Sequence, residues 1–194
     1  MALLNLGPIV DCTEAEGPGR RFAVWTRGCS LRCPGCCNPE LLGSRGSPVP
    51  AAEVADALAE AADRHDLEGV SFLGGEPTEQ PAGLAVVAER ARSLGLSVMV
   101  FSGYTLHELR ERGPEVARLL ALTDLLVDGR YVAARRTTTR RFVGSDNQVL
   151  HFLTDRYAAD DPRLAEPNTV ELRVSIGPDG AVYALNGFPV RGTR

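Results

Sequence analysis

Apolar residues recur at helical spacing in some parts of the chain and as short unbroken runs in others. Val54, Leu58, Ala61 and Ala62 share one face of a helix that begins after Pro50. Leu84, Val87, Ala88, Ala91 and Leu94 predict a second buried helical face, opening near Pro81 and stopped by Gly95. Thr105 and Glu108 have the spacing of a capping box, so a third helix starts there, and Gly113 with Pro114 divides it. Strands are predicted over 21–26, 69–73, 96–101 and 124–128. An extended run at 149–153 follows a Gly-Ser turn, and segments 169–176 and 181–185 flank Gly-Pro-Asp-Gly, a hairpin signal.

Strands alternating with helices imply right-handed βαβ units on a parallel sheet, where ligands sit beyond the C-terminal strand ends. Gly74-Gly75-Glu76, Ser102-Gly103 and Asp128-Gly129 all fall at that end of successive strands. They are predicted to face one crevice. With 194 residues and no repeat or low-complexity tract, the chain reads as one domain, 1–194, with a Gly-, Arg- and Cys-rich segment at about 10–42.

Composition narrows the chemistry. The net charge of -4 disfavours generic binding to a phosphate backbone, so no nucleic-acid partner is expected. All 21 cationic residues are Arg, which removes Schiff-base and P-loop lysine chemistry. No uncharged apolar run approaches the ~18 residues of a spanning helix, and the opening residues lack a basic, cleavable leader. A cytoplasmic setting and no membrane partner are expected. Thiols stay reduced there, so five Cys read as metal ligands or catalytic groups before disulfides.

Four of the five lie within 29–37. Cys29, Cys33 and Cys36 are spaced Cys-x3-Cys-x2-Cys on a loop, short enough for the backbone to wrap one centre. A [4Fe–4S] cube usually takes four Cys, so three leave one iron open to a small molecule. The rival is a structural zinc site, which wants four ligands and would have to recruit adjacent Cys37 or distant Cys12. Neighbouring side chains on extended backbone point apart, so Cys36 and Cys37 are not both expected to face one centre; the spacing from Cys33 favours Cys36, and Cys37 is then expected to pack against the fold.

The three cysteines, Gly28 before them and Gly74-Gly75-Glu76-Pro77 after the next strand resemble the radical S-adenosylmethionine (SAM) superfamily. Further segments narrow the likeness: 16–20 (Glu-Gly-Pro-Gly-Arg), 36–39, 101–105, 126–129, 144–148 and 187–189. They are similar to the small activases of glycyl-radical enzymes, the type that activates anaerobic ribonucleoside-triphosphate reductase. The resemblance implies an α/β fold: a partial (β/α) barrel with helices outside its parallel sheet and a C-terminal β-hairpin. It also implies a [4Fe–4S] cluster on Cys29, Cys33 and Cys36 whose open iron chelates SAM. Gly35, Gly74, Gly75, Glu76, Pro77 and Ser102 would contact SAM, the glycine pair leaving room for its close approach. Reductive cleavage of SAM would then give a 5′-deoxyadenosyl radical that takes hydrogen from a glycine of a partner enzyme. A flavodoxin- or ferredoxin-like protein would donate the electron. Two departures stand out: Gly35 replaces a common aromatic, and Arg130 stands where larger activases carry Lys.

Other candidates have two readings. Asp128 is the one side chain considered for a catalytic step beyond cluster and SAM, against a turn cap. Ser102 resembles a ribose contact, against an ordinary Ser-Gly turn. Asn147 and Gln148 either face the site or tie down their loop. The basic cluster of Arg135, Arg136, Arg140 and Arg141 is either a solvated loop or a docking surface for an acidic partner. The 16–20 segment is expected to turn near the cluster loop on the positive φ of Gly17 and Gly19. The alternatives are a radical SAM modifier of a peptide or small natural product, a carboxy-deazaguanine-synthase-like enzyme, and a non-catalytic Fe–S electron carrier or zinc-stabilised module.

Overall fold

The computed structural model describes residues 2–165, 171–177, 180–185 and 188–189. In chain order its elements are β1 (Leu3–Leu4), β2 (Leu6–Thr13), β3 (Arg21–Thr26), β4 (Val49–Pro50), α1 (Ala51–Arg64), β5 (Gly69–Gly74), α2 (Pro81–Ser93) and β6 (Ser97–Phe101). Then come α3 (Leu106–Arg110), α4 (Pro114–Leu122), β7 (Leu125–Asp128), β8 (Val149–Phe152), α5 (Pro162–Ala165), β9 (Leu172–Gly177), β10 (Gly180–Leu185) and β11 (Phe188–Pro189). Six strands form the main sheet in the order β2-β3-β5-β6-β7-β8. The inner four run parallel, and β2 and β8 pair antiparallel at the edges. The register sets Thr26 beside Gly74 and Phe101 beside Val127, so the C-terminal strand ends share one rim.

Alternation along the strands sorts the core into two faces. Phe22, Val24, Val70, Phe72, Val98, Val100 and Leu126 pack with Val54 and Leu58 of α1, Leu84 and Val87 of α2, and Leu119 of α4. On the other face Ala23, Trp25 and Leu73 meet Val10 and Leu41, while Met99, Leu125 and Val127 meet Val143 and Tyr157. Helices cover one face; loops cover the other. The fold is mixed α/β. Among the described residues no helix is long and apolar enough to cross a membrane.

The predicted elements from 21 to 152 are present, including the Thr105–Glu108 capping box and the split at Gly113 and Pro114. Strand β2 was not legible, because Gly7 and Pro8 interrupt its alternation and its pairing with β3 shifts register twice. Leu94 is not buried as expected: α2 stops at Ser93, Gly95 turns the chain at φ +76°, and Leu96 enters the core instead. β9 and β10 pair as the predicted hairpin. Positions 169–170, the turn residues 178–179 and Gly187 lie outside the described residues.

The 16–20 turn crosses the loop-covered face. Gly17 has φ +148° and Gly19 φ +70°, and a Cβ at Gly19 would stand 2.6 Å from that of Glu68. The wholly buried Arg21 anchors the turn, donating to Ser71 Oγ (2.6 Å), Ser97 Oγ (2.9 Å), Val70 O (2.7 Å) and Pro18 O (3.2 Å). Ser71 Oγ donates in turn to Glu16 O at 2.6 Å. Burial lowers the Arg21 pKa, with Tyr157 and Glu68 opposing.

Burial, and after it the Glu171 carboxylate, push Glu16 up from 4.5 to about 7. The folded protein thus keeps a proton that the unfolded chain releases near 4.5, so this carboxyl costs stability progressively as pH rises between those values. Glu16→Gln is expected to raise stability at pH 8 by on the order of 2 kcal/mol, with allowance for solvent screening, and by less towards pH 5. Thermal melts at both pH values check this; an equal effect at the two would remove Glu16 from the pH response.

Candidate functional site

A pocket of about 740 Å³ opens beyond the C-terminal strand ends, between the sheet and the loops of its helix-free face. Cys29, Cys33 and Cys36 line it from the loop after β3, Gly74, Gly75 and Glu76 from the end of β5, and Ser102 and Gly103 from the turn after β6. The predicted crevice is present. Gly129 lines it too, but Asp128, Pro77 and Gly35 are not among its lining residues.

The cysteine loop is pinned at its base, where Gly28 N–H donates to Leu41 O (2.9 Å) and Cys29 N–H to Leu42 O (3.2 Å). It then winds tightly. Arg32 sits at φ +47°, Gly35 at φ +75°, and Cys36 N–H donates back to Cys33 O (3.1 Å). Burial pushes the Cys29 thiol up, while the N–H groups of Arg32 and Leu31, aimed at its sulfur, pull the other way. Among the described residues no three His, Cys, Asp or Glu side chains converge on a single ion position. One zinc would draw its sulfurs to ~2.3 Å from a common point; a cube spreads its thiolates over separate irons. Three thiols around one roomy pocket suit the cube.

Cys37 departs from expectation. It is exposed and lines the same pocket as Cys36, instead of packing into the fold, because the turn at Gly35 breaks the extended backbone on which neighbours point apart. Desolvation by the atoms around its sulfur still raises its pKa, with Cys36 next in effect. Cys12 packs against the helix-covered core.

The glycine pair leaves room for the protein's own backbone at the strand end. Gly74 has φ +117°, and a Cβ there would meet Thr26 N at 2.3 Å; one at Gly75 would meet Gly28 O at 2.2 Å and Leu41 O at 2.9 Å. What comes close is the backbone of Thr26, Gly28 and Leu41. Gly75 N–H donates to Thr26 O and Glu76 N–H to Gly28 O, each at 2.8 Å, which clamps the cysteine segment to the end of β5.

Glu76 is a brace. Oε1 accepts from Thr78 N (3.0 Å), Thr78 Oγ1 (2.6 Å) and Ser102 Oγ (2.9 Å), and Oε2 from Gly103 N (2.8 Å). Burial raises its pKa and these bonds oppose the rise. Ser102 Oγ also accepts from Tyr104 N (3.1 Å), so its proton and one lone pair are engaged. Asp128 turns the other way, accepting from Leu106 N at the start of α3, with His151 Nε2 at 2.9 Å. Gln148 Oε1 accepts from Gly144 N and Ser145 N and its amide donates to Gly129 O, while Asn147 donates to Arg130 O: both tie down the loop, and Gln148 also lines the pocket.

That loop, between β7 and β8, also supplies wall residues that lie outside the 126–129 and 144–148 segments. Tyr131, Phe142 and Arg136 line the pocket together with Trp25, Leu73 and Phe101. Phe142 holds φ +63°, a strained position for a bulky side chain, of the kind that gathers at functional sites. Of the basic cluster, Arg135 pairs with Asp146, and Arg140 and Arg141 donate to backbone carbonyls. Those three fasten the loop and Arg136 faces the pocket.

The 4Fe-4S single cluster domain family matches residues 15–151. The anaerobic ribonucleoside-triphosphate reductase-activating protein of Escherichia coli (strain K12) is 33% identical over 144 residues, covering 71% of this chain and 92% of that one. Its counterpart in Enterobacteria phage T4 is 25% identical over 156 residues, covering 78% and 96%. The pyruvate formate-lyase-activating enzyme of Streptococcus mutans serotype c is 27% identical over 128 residues, covering 61% of this chain and 49% of its own. The match spans most of the chain, whose cofactors are a [4Fe–4S] cluster and SAM; the chain belongs to the 4Fe-4S single cluster domain family, as a radical SAM activating enzyme.

Proposed function

We propose that Cys29, Cys33 and Cys36 each hold one iron of the cluster and leave the fourth to the amino and carboxylate groups of SAM. The observation that carries this is that all three cysteines line the same pocket as the Gly74-Gly75 turn. When bound there, the cluster supplies the electron that cleaves SAM reductively to a 5′-deoxyadenosyl radical. The residues of the chain hold, orient and shield. Gly75 N–H and Glu76 N–H are spent within the fold, so their turn offers a ligand carbonyl oxygen, the partner an ammonium group needs. Ser102 keeps one lone pair, enough to accept from a ribose hydroxyl. Trp25, Leu73, Phe101 and Phe142 present apolar surface that keeps water from the reacting carbon.

The architecture fits a partial barrel of the radical SAM type, since helices lie on one sheet face and the pocket on the other, and the whole chain, 1–194, acts as one domain. The target is a backbone glycine in a glycyl-radical enzyme of the kind the relatives' names give, the anaerobic ribonucleoside-triphosphate reductases. The wall over the pocket comes from the loop 129–148 and the residues just after the cysteines, so a segment of a protein substrate can complete the enclosure. A flavodoxin- or ferredoxin-like protein supplies the electron. Asp128, turned to α3 and His151, positions the strand end and stays out of the chemistry.

Two sets of variants test the site. Cys29→Ala, Cys33→Ala and Cys36→Ala are each expected to lose the absorption band near ~400 nm and deoxyadenosine formation. Cys37→Ala and Cys12→Ala should keep both, with less than ~1 kcal/mol lost at exposed Cys37. A Cys37→Ala protein without a cluster, beside a Cys36→Ala protein that retains one, reverses the assignment.

Gly75→Ala should lower iron content after anaerobic reconstitution as well as SAM affinity, because the new Cβ would displace the backbone at Gly28 that carries Cys29. Normal iron with weakened SAM binding alone would mean that the clamp yields without moving the cysteine loop.

A further inference from the structure

The tip of the cysteine loop rests on Glu79 and Tyr104, which are not among the residues lining the pocket. Ser30 N–H donates to Glu79 Oε1 at 3.0 Å, and Ser30 Oγ makes a short hydrogen bond to the same oxygen. Tyr104 Oη lies 3.0 Å from Ser30 Oγ and 3.4 Å from Glu79 Oε1. With the Ser30 proton on Glu79, the Tyr104 proton goes to Ser30, a chain in which each bond polarises the next. The phenol ring is held on its faces: the guanidinium of Arg112 stands 3.9 Å from its centroid and that of Arg130 5.7 Å. Beside it, Leu31 lies so close to Gly103 that a Cβ there would come within 2.5 Å of Leu31 Cδ1. Three chain segments far apart in sequence, at Ser30, Glu79 and Tyr104, therefore meet one residue beyond Cys29.

We infer that Glu79 and Tyr104 are positioning residues, a latch that sets the conformation of the Cys29 end of the loop and slows release of the cluster. The inference rests on the proposed role of Cys29. The backbone clamp at Gly28 fixes where the loop starts; the latch fixes where it goes next. The side chain at Ser30 is tied outward to Glu79, while its neighbour Cys29 lines the pocket. Both latch residues stand outside the pocket's apolar wall, so their effect on the loop can be separated from ligand contact.

Hydrogen exchange read by mass spectrometry over 29–33, on iron-free and on anaerobically reconstituted protein, tests the latch together with the rate of iron loss to a chelator. Glu79→Ala is expected to speed exchange in that segment at least tenfold and iron loss several-fold. Glu79→Gln, whose amide oxygen still accepts from Ser30, should restore most of both. Tyr104→Phe, which keeps the ring between its two guanidiniums, should give a smaller change in the same direction, and Glu115→Gln on the neighbouring surface should give none. Unchanged exchange and iron loss in both Glu79→Ala and Tyr104→Phe would overturn the latch. Equal effects of Glu79→Ala and Glu79→Gln would overturn the hydrogen-bond account of it. A Cys29→Ala protein that retains its iron would instead overturn the ligand assignment, and exchange in the iron-free protein would then judge the latch by itself.

Discussion

The site depends on a place where two backbones meet with no side chain between them. Gly74 and Gly75 approach Thr26 and Gly28 so closely that a single Cβ would overlap main-chain atoms. Two N–H groups at the end of β5 are satisfied by carbonyls of the strand end and loop before the cysteines. In a parallel sheet the ladder ordinarily stops at the rim, and the chain beyond it is free to diverge. Here the pairing of β3 with β5 continues two residues past the rim, and the cysteine loop starts from a defined point. The glycines of the Gly-Gly-Glu-Pro stretch are thus explained by the fold before any ligand is considered. A ligand then gains a turn whose carbonyls are already oriented.

The one-sided distribution of helices matters equally. A doubly wound sheet would bury both faces under helices, and a chain of this length could not then leave a pocket of this size against one face. With α1, α2 and α4 all on the same side, the other face is closed by what the chain has left: the segment at Leu41 after the cysteines, the 16–20 turn and the loop between β7 and β8. Each is fastened by polar groups. Arg21 holds the turn from within the sheet, and Gln148, Asn147 and three arginines hold the loop. Buried and half-buried hydrogen bonds are a costly way to close a surface, because each group must be fully matched. They also give a wall with an edge and a wet rim, where apolar packing would have given a filled core.

Much of this was legible in the residues. The helical faces at Val54–Leu58–Ala61 and Leu84–Val87–Ala91, the strand runs and the Thr105 capping box carry local periodic signals, and they fold as read. The cysteine spacing and the glycine turn were legible because their chemistry requires a set spacing along the chain. The rest was hidden for definable reasons. β2 is an edge strand whose Gly7 and Pro8 imitate a loop. The turn at Gly35 cancels the alternation that set Cys37 apart from Cys36. Arg21 looked like one cation among many, since nothing local distinguishes a guanidinium that will be buried under five neighbours. Glu79 and Tyr104 lie 49 and 74 residues from Ser30 and meet it only once the sheet has paired, which no single segment encodes.

Glu76 shows how the fold and the site share one group. A carboxylate this deeply buried is tolerable only where donors replace its water, and Glu76 has four of them, from Thr78, Ser102 and Gly103. Those donors sit on the turns after two adjacent strands, so the requirement to satisfy one charge draws the ends of β5 and β6 together. Gly103, held by that bond, is the surface on which Leu31 of the cysteine loop rests. The charge at Glu76 is therefore not free to serve as a proton donor or acceptor for a bound molecule without loosening the rim. Its burial converts an electrostatic cost into geometry: neighbouring strand ends are held at one level, and the cysteine loop lies across them.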